Sequence, residues 1–259
     1  MKKIISFVLS LSILLSACFI TKVSAEEYNG YKVKTYKDFN YIVKENDQVI
    51  ITKYTGKAAS VKIPSKIKGK TVRIIGSEAF ADIYFHENKT LKRITIPDSI
   101  RKIKSFAFYN CVNLNKVTIG KNVKKIERSA FAYCTKLTDV KILNKNADIR
   151  RCAFENCGFK SVEVTHKIDE GFRSCKKLEK ITINPDVEVI GWKQFYSCPK
   201  LKTVTIPPTV KSIEKKAFGF VYKKEKIKTV KIKGFTIKGK ADSAAHRYAQ
   251  EHGFKFIEI

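Results

Sequence analysis

Residues 114–134, LNKVTIGKNVKKIERSAFAYC, hold a pattern that returns along most of the chain. A leucine comes first, Val117 and Ile119 follow at alternating positions, and an Ala-Phe pair and a cysteine close the stretch. Copies of this frame begin at Leu91, Leu114, Leu137, Phe159, Leu178 and Leu201. From one start to the next they are 22 or 23 residues long, except for 19 residues from Phe159 and 26 from Leu201. Such a period predicts a solenoid with one coil per copy.

Each copy reads as three short segments around one core. The alternating V-x-I segment predicts a strand that buries one face. The V-x-x-I segment predicts a second extended piece, and A-F-x-x-C predicts a tight helical turn with its alanine and phenylalanine inside. No coil can bury these side chains alone, so stacked coils are expected to form the core. Partial copies flank the array at residues 61–80 and 227–232.

The full pattern, L-x-x-V-x-I-P-x-x-V-x-x-I-x-x-x-A-F-x-x-C, is clearest at residues 91–111 and 201–218. It resembles the BspA-type leucine-rich repeats of bacterial surface proteins, and the resemblance covers about residues 58–235. What it implies is an α/β, strand-dominated leucine-rich-repeat solenoid with short parallel strands and helical turns.

The two ends outside the repeats predict caps, which would cover the open edges of the solenoid. Residues 41–52 read as a β-hairpin with a turn at 45–48. A helix is predicted to begin at Asp242 or Ser243 and to stop at Gly253, before a last strand over 254–259. We therefore expect an N-terminal β-hairpin cap at 26–57, the solenoid at 58–235 and a C-terminal helix-strand cap at 236–259.

The first 25 residues have the composition of a signal peptide. Lys2 and Lys3 precede an apolar run, and Ala25 offers a small residue for cleavage. In the alternative, Leu15-Ser-Ala-Cys18 resembles a lipobox, and Cys18 would be lipidated. Both readings predict a secreted or cell-surface protein of a bacterium. No later stretch approaches the about 20 apolar residues of a transmembrane helix, so no transmembrane segment is predicted.

The chain is strongly basic. It carries 52 lysines and arginines against 24 acidic residues, a formal charge of +28, which falls to +25 without the three lysines of the signal peptide. An excess of this size favours anionic partners such as acidic polysaccharide or cell-wall polymer, or it serves solubility alone. Nucleic acid is disfavoured, because strands and turns account for the aromatic residues and no aromatic-interleaved basic pattern occurs.

One register of the repeat holds five cysteines: Cys111, Cys134, Cys157, Cys175 and Cys198. We expect a ladder of small buried apolar side chains. Disulfides between neighbouring coils and metal binding are the alternatives, although no C-x-x-C motif and no histidine at metal-ligand spacing accompany the cysteines. Cys152 falls outside this register. The sequence predicts no catalytic residue, no metal and no cofactor. Trp192 is expected to pack or to be partly exposed, with anchoring of a ligand as the alternative.

The candidate binding residues follow from the resemblance, because leucine-rich repeats usually bind through the exposed face of the first strand. The outward positions there are Arg93, Thr95, Lys116, Thr118, Lys141, Lys180, Thr182, Thr205 and Lys231. A basic band beside the V-x-x-I segment comprises Arg101, Lys102, Lys124, Lys125 and Lys211. Two charges ~5 Å apart in water repel by about 0.8 kcal/mol, so stacked lysines are tolerable on a solvated face.

Two functions fit these observations. The resemblance implies an exported, non-catalytic adhesion module that recognises host matrix, host cells or other bacteria. The charge instead favours an electrostatic binder of polyanions such as cell-wall polymer, glycosaminoglycan or extracellular nucleic acid. An enzyme is disfavoured, because no catalytic constellation is visible in the sequence. We expect a monomer whose partner is an extracellular protein or an anionic polymer, and association with the cell wall fits both.

Overall fold

The computed structural model describes residues 27–81, 87–144, 146–165, 167–223, 225 and 227–259. The predicted signal peptide and Cys18 lie outside these residues. The elements in chain order are β1 Glu27–Tyr28, β2 Tyr31–Lys32, β3 Lys34–Tyr36, β4 Phe39–Val43, β5 Val49–Tyr54, β6 Ser60–Lys62, β7 Lys66–Ile67, β8 Lys70–Ile75, β9 Arg93–Ile96, β10 Lys102–Ile103, β11 Lys116–Ile119, β12 Lys125–Ile126, β13 Asp139–Ile142, β14 Asp148–Ile149, β15 Ser161–Val164, β16 Lys180–Ile183, β17 Val189–Ile190, β18 Thr203–Thr205, β19 Ser212–Ile213, β20 Phe220–Lys223, β21 Lys228–Lys231, β22 Thr236–Gly239, α1 Ala244–His252 and β23 Lys255–Glu258.

Two ladders of short parallel strands form two walls of the solenoid. The first ladder begins with β6, β9, β11 and β13, whose register places Ile94 beside Val117 and Val117 beside Val140. The second ladder runs from β8 through β10 and β12 to β14. Alternate side chains point inward, and Ile94 and Val117 are almost completely buried. The strand-dominated solenoid is confirmed.

The A-F-x-x-C segments form a third wall, and they are not helical. They consist of overlapping β-turns; in one copy Ala107 N donates to Lys104 O and Cys111 N to Phe108 O. The third residue of each of these two turns has positive φ, 59° at Phe106 and 56° at Asn110, as in a type II turn. These left-handed residues interrupt any helix, so the prediction of helical turns is wrong. The single helix in the described part of the chain is α1.

The phenylalanines of this third wall stack through the centre of the solenoid. Phe108 and Phe131 are 4.9 Å apart between ring centroids with planes 1° apart, and Phe131 and Phe154 are 5.6 Å apart at 9°. Further rings continue the stack in both directions: Phe80, Phe172, Phe195 and Phe218. Tyr54 stacks on one end, and Tyr248 of α1 meets the other edge-on.

Both strand ladders are interrupted at the 19-residue copy. Strand β15 pairs with β16 but not with β13, and the second ladder resumes only with β17 and β19. This copy therefore contributes no strand to the second ladder in the described residues. The turn wall continues across the same place, with a bond from Phe154 N to Gly171 O at 3.0 Å.

The chain ends close the solenoid. Strands β4 and β5 form an antiparallel hairpin whose β5 joins β8. At the other end α1 begins after Ser243 and stops at Gly253, which is left-handed with φ 59°, and β23 follows as the final strand. The predicted helix and last strand are confirmed. The division into segments at residues 57 and 235 stays a prediction, and β22 extends the first ladder to residue 239.

Candidate binding surface

The outward face of the first ladder begins as a regular array of charged and hydroxyl side chains. Because β9 and β11 pair in register, Arg93 lies beside Lys116 and Thr95 beside Thr118. Lys116 Nζ lies 2.8 Å from Asp139 Oδ2. Both partners are more than half exposed, so the ion pair contributes little to stability. Two parallel rows, one charged and one mainly of hydroxyls, therefore cross three coils.

The remaining members of the predicted array lie on separate sheets. Lys141 lies beside Thr118 on β13, the last strand of the first hydrogen-bonded group. Lys180 and Thr182 lie on β16, where Thr182 is beside Glu163. Thr205 lies on β18, which pairs with β22. The structure thus brings the candidates onto one wall but in three hydrogen-bonded groups.

Lys231 is not part of this array. Its strand, β21, pairs antiparallel with β20, and Lys231 lies opposite Phe220 in that hairpin. The first ladder continues instead in β22, where Lys238 lies beside Thr205. The placement of Lys231 was wrong because β20 and β21 form an inserted hairpin between two strands of the ladder, β18 and β22.

The basic band is partly neutralised. Lys102 and Lys125 are register partners on the second ladder. Acidic side chains lie near three of its lysines: Glu127 is 3.8 Å from Lys102, Asp148 is 4.0 Å from Lys125, and Glu188 is 2.7 Å from Lys211. Arg101 donates to the backbone oxygen of Asp98, and Lys124 is exposed. The acidic neighbours therefore reduce the net positive charge of the basic band.

The cysteine ladder is buried and its thiols are free. Each thiol donates to the carbonyl oxygen of the phenylalanine one coil earlier, as Cys134 does to Phe108 and Cys157 to Phe131, both at 3.2 Å. Cys152 is also buried and free, so none of the six described cysteines forms a disulfide. The thiol therefore fills a small apolar space and satisfies a buried carbonyl, which excludes the disulfide alternative for these residues.

We expect these thiols to be unreactive in the native protein. Burial raises the pKa of Cys175 to about 12, and also raises that of Cys198. At pH 8 a thiol with a pKa near 12 holds roughly two-thousandfold less thiolate than a free thiol with a pKa near 8.5, and only the thiolate attacks. Thiol titration of residues 26–259 should show slow labelling in buffer and six fast thiols in guanidinium. Rapid native labelling of five or more would contradict the buried ladder.

The turn wall carries a charged cluster that the sequence analysis missed. Glu170 is buried, with 1% of its side chain exposed, and accepts from Arg151 at 2.5 Å and from Arg173 at 2.7 Å. Arg151 also lies over the ring of the half-buried Trp192, 5.1 Å from its centroid. The signal was available in the repeat frame. Arg151, Asp169 and Trp192 stand three residues before the phenylalanine of their copies, and Cys152, Glu170 and Lys193 stand two residues before it. Stacked coils place equivalent positions side by side.

The described residues contain no group of three or more histidine, cysteine or acidic side chains able to hold a metal ion. Over the same residues, no helix has the length and apolar character needed to cross a membrane.

Comparisons with known proteins identify the repeat. A model of the BspA type leucine rich repeat region matches residues 53–171 and 168–241 with six copies. The chain belongs to the BspA-type leucine-rich-repeat family. This assignment confirms the resemblance seen in the repeat frame. No curated protein sequence gave a significant match.

Solved structures of other leucine-rich-repeat proteins share the fold. A leucine rich cell surface protein from Faecalibacterium prausnitzii is 23% identical with a TM-score of 0.57, over 80% of this chain and 70% of that one. A leucine-rich repeat protein from Bacteroides ovatus is 28% identical with a TM-score of 0.59, over 70% of this chain and 49% of the other. The T. pallidum leucine rich repeat protein is 21% identical with a TM-score of 0.59, over 87% and 98%. This chain thus matches about half of the Bacteroides protein.

Proposed function

We propose that this BspA-type protein is a non-catalytic binding module, exported to the surface or the surroundings of a bacterium, which engages partners through the outward face of the first ladder. This proposal rests on the alternation of buried and exposed side chains along each strand of the first ladder. Inward residues such as Ile94 and Val117 are buried and hold the coils together. Outward residues such as Arg93 and Thr95 are exposed, so they are free to differ between copies and to meet a partner.

Host matrix proteins, host cells and other bacteria are the proposed partners. The family assignment and the likeness to a protein described as a cell surface protein support an extracellular role. A row of hydroxyl side chains beside a row of charges offers both hydrogen bonds and ion pairs to a protein partner. The signal peptide and the cleavage after Ala25, with lipidation of Cys18 as the alternative, belong to the same proposal.

Electrostatic binding of polyanions is the second candidate, and the charge balance favours it. With 52 basic and 24 acidic side chains, one-to-one pairing of every acid would still leave 28 basic groups in excess. The ion pairs within the basic band weaken the case for that band as the site. The two candidates differ in salt dependence, because counterion release makes polyanion binding fall steeply with salt.

Binding by the mature chain to fibronectin, laminin, collagen, purified cell wall and heparin tests both candidates. The face variant, Arg93→Ser with Thr95→Ala and Lys116→Ser, should weaken binding at least about tenfold, which is about 1.4 kcal/mol. The control, Lys176→Ser with Lys177→Ser, removes the same charge from exposed positions elsewhere. It should change affinity less than about twofold.

The salt titration and the two variants separate the outcomes. Equal losses in both variants, with a steep salt dependence, would replace the proposed function by general polyanion binding. An unchanged affinity in the face variant would remove the first ladder as the binding surface. Circular dichroism and thermal unfolding should be the same for both variants, since the altered side chains are exposed.

A further inference from the structure

The first ladder is open between β13 and β15, although these strands belong to consecutive copies. In other copies a backbone bond ties the start of the copy to the preceding one, from Asn115 N to Lys92 O, from Thr138 N to Asn115 O and from Glu179 N to Lys160 O. Among the described residues the ladder is also unpaired between β16 and β18. In the described residues no such bond joins Lys160 to Thr138. Each of the two strands is paired on its other side, β13 with β11 and β15 with β16. Two strand edges therefore face each other across a gap.

The opening is a wedge that is closed at the turn wall. There, Asn156 N donates to Arg173 O at 2.8 Å, and Phe154 stacks on Phe172 with centroids 5.8 Å apart. The 19-residue copy keeps its turn and its first strand but supplies no strand to the second ladder. Its coil is therefore held by the stacked phenylalanines and spreads from its neighbour at the first ladder.

The gap leads into a cavity of about 320 Å³, which we call the cleft. Val140, Ile142 and Val162 form its apolar sides, and Phe154, Phe159 and Phe172 lie at its base. The three aliphatic residues are only half-buried, whereas their counterparts on β11 are fully buried. Pockets that bind small ligands begin near this volume, which suits one or two large side chains.

In the described residues, the charged side chains at the rim of the cleft form no ion pair across it. Lys141 lies at the level of Thr118, and Glu163 at the level of Thr182, so both occupy the same position in their copies. In a closed ladder they would be direct neighbours. The described residues contain no ion pair between them, and Asp139 on the same rim is already bound to Lys116.

We propose that the cleft receives an extended segment of a partner polypeptide as an added strand. Each edge strand presents a row of N–H and C=O groups along the gap, and such groups need hydrogen-bond partners. Only another backbone offers donors and acceptors at the matching spacing, which is the basis of strand addition. Alternation then directs an apolar side chain toward Phe159 and a neutral polar one between Lys141 and Glu163. This inference rests on the proposed function and assigns a partner class to one part of the same face.

Selection from a displayed library of heptapeptides that alternate apolar and polar residues tests the proposal on the whole mature chain. We expect peptides that bind the native protein and lose at least tenfold in affinity for Val162→Trp, which fills the cleft. Thr135→Trp, exposed beside the turn wall and outside the first ladder, is the control and should leave affinity unchanged. Methylation of alternate peptide nitrogens should also lower affinity at least tenfold. Hydrogen exchange should slow at residues 139–142 and 161–164.

Three results would overturn the proposal. One is the absence of peptides that prefer the native protein over Val162→Trp. Another is binding that ignores nitrogen methylation, since a pocket for an apolar group alone behaves in that way. The third is a dimer of this chain that Val162→Trp abolishes, since the occupant would then be a second copy. The methylated peptides are tested on the native protein, so that test holds even if the Val162→Trp variant does not fold. If the Val162→Trp variant still binds a partner whose affinity the face variant has lost, the cleft proposal fails while the proposed function stands.

Discussion

Replacing Phe131 by alanine should lower the free energy of unfolding by about 3–5 kcal/mol. Phe131 is fully buried and stacks on Phe108 on one side and on Phe154 on the other. Its loss leaves a cavity and removes two aromatic contacts, and the neighbouring coils cannot collapse because their own turns hold their spacing. Urea unfolding followed by circular dichroism measures the change.

Leu143→Ala is the matched control for this prediction. Leu143 lies at the end of β13 and is 43% exposed, so its truncation should change the free energy of unfolding by less than about 0.5 kcal/mol. A loss below about 1 kcal/mol for Phe131→Ala would mean that the phenylalanine stack does not hold the coils together.

Removing both arginines that bind Glu170 should cost about 3 kcal/mol, because a buried carboxylate without its partners is strongly destabilising. The variant is Arg151→Met with Arg173→Met, which keeps most of the apolar side-chain contact. Adding Glu170→Gln to this double variant should restore much of the loss, since the unpaired charge is then gone. Urea unfolding of the double and triple variants measures both steps.

Arg150→Met is the control for charge. Arg150 pairs with Asp148 at 2.7 Å, but both side chains are about half exposed, so the expected change is within about 1 kcal/mol. If the triple variant is as unstable as the double one, the loss comes from the packing of Arg151 over Trp192 and of Arg173 over Tyr196, and not from the buried charge.

The repeat frame predicted most of the fold because it is a packing pattern. Val117, Ile119 and Phe131 recur at fixed offsets, and a fixed offset puts each residue beside its copies in the next coil. The form of the turn was missed, because most left-handed residues there, such as Ser129 and Tyr133, are neither glycine nor asparagine. At the position of Tyr133 in the copies, only Asn110 and Asn156 carry that signal.

Two features of the surface could not be predicted from local pattern. Residues 229–232 and 236–238 both resemble a V-x-I strand, and only tertiary pairing decides that the second joins β18. The short copy was visible in the sequence, but its length does not tell which wall loses a strand. In the described part of the chain the second ladder lacks the strand, the turn wall stays closed, and the first ladder opens at the cleft.

Hydrogen exchange by mass spectrometry, on the complex with whichever of the matrix proteins, cell wall or heparin binds, locates the binding surface of this BspA-type protein. If that surface is the outward face of the first ladder, exchange should slow at residues 93–96 and 116–119 on binding, with little change at the turn wall. Slower exchange confined to the turn wall or to the β20–β21 hairpin would show that partners bind elsewhere.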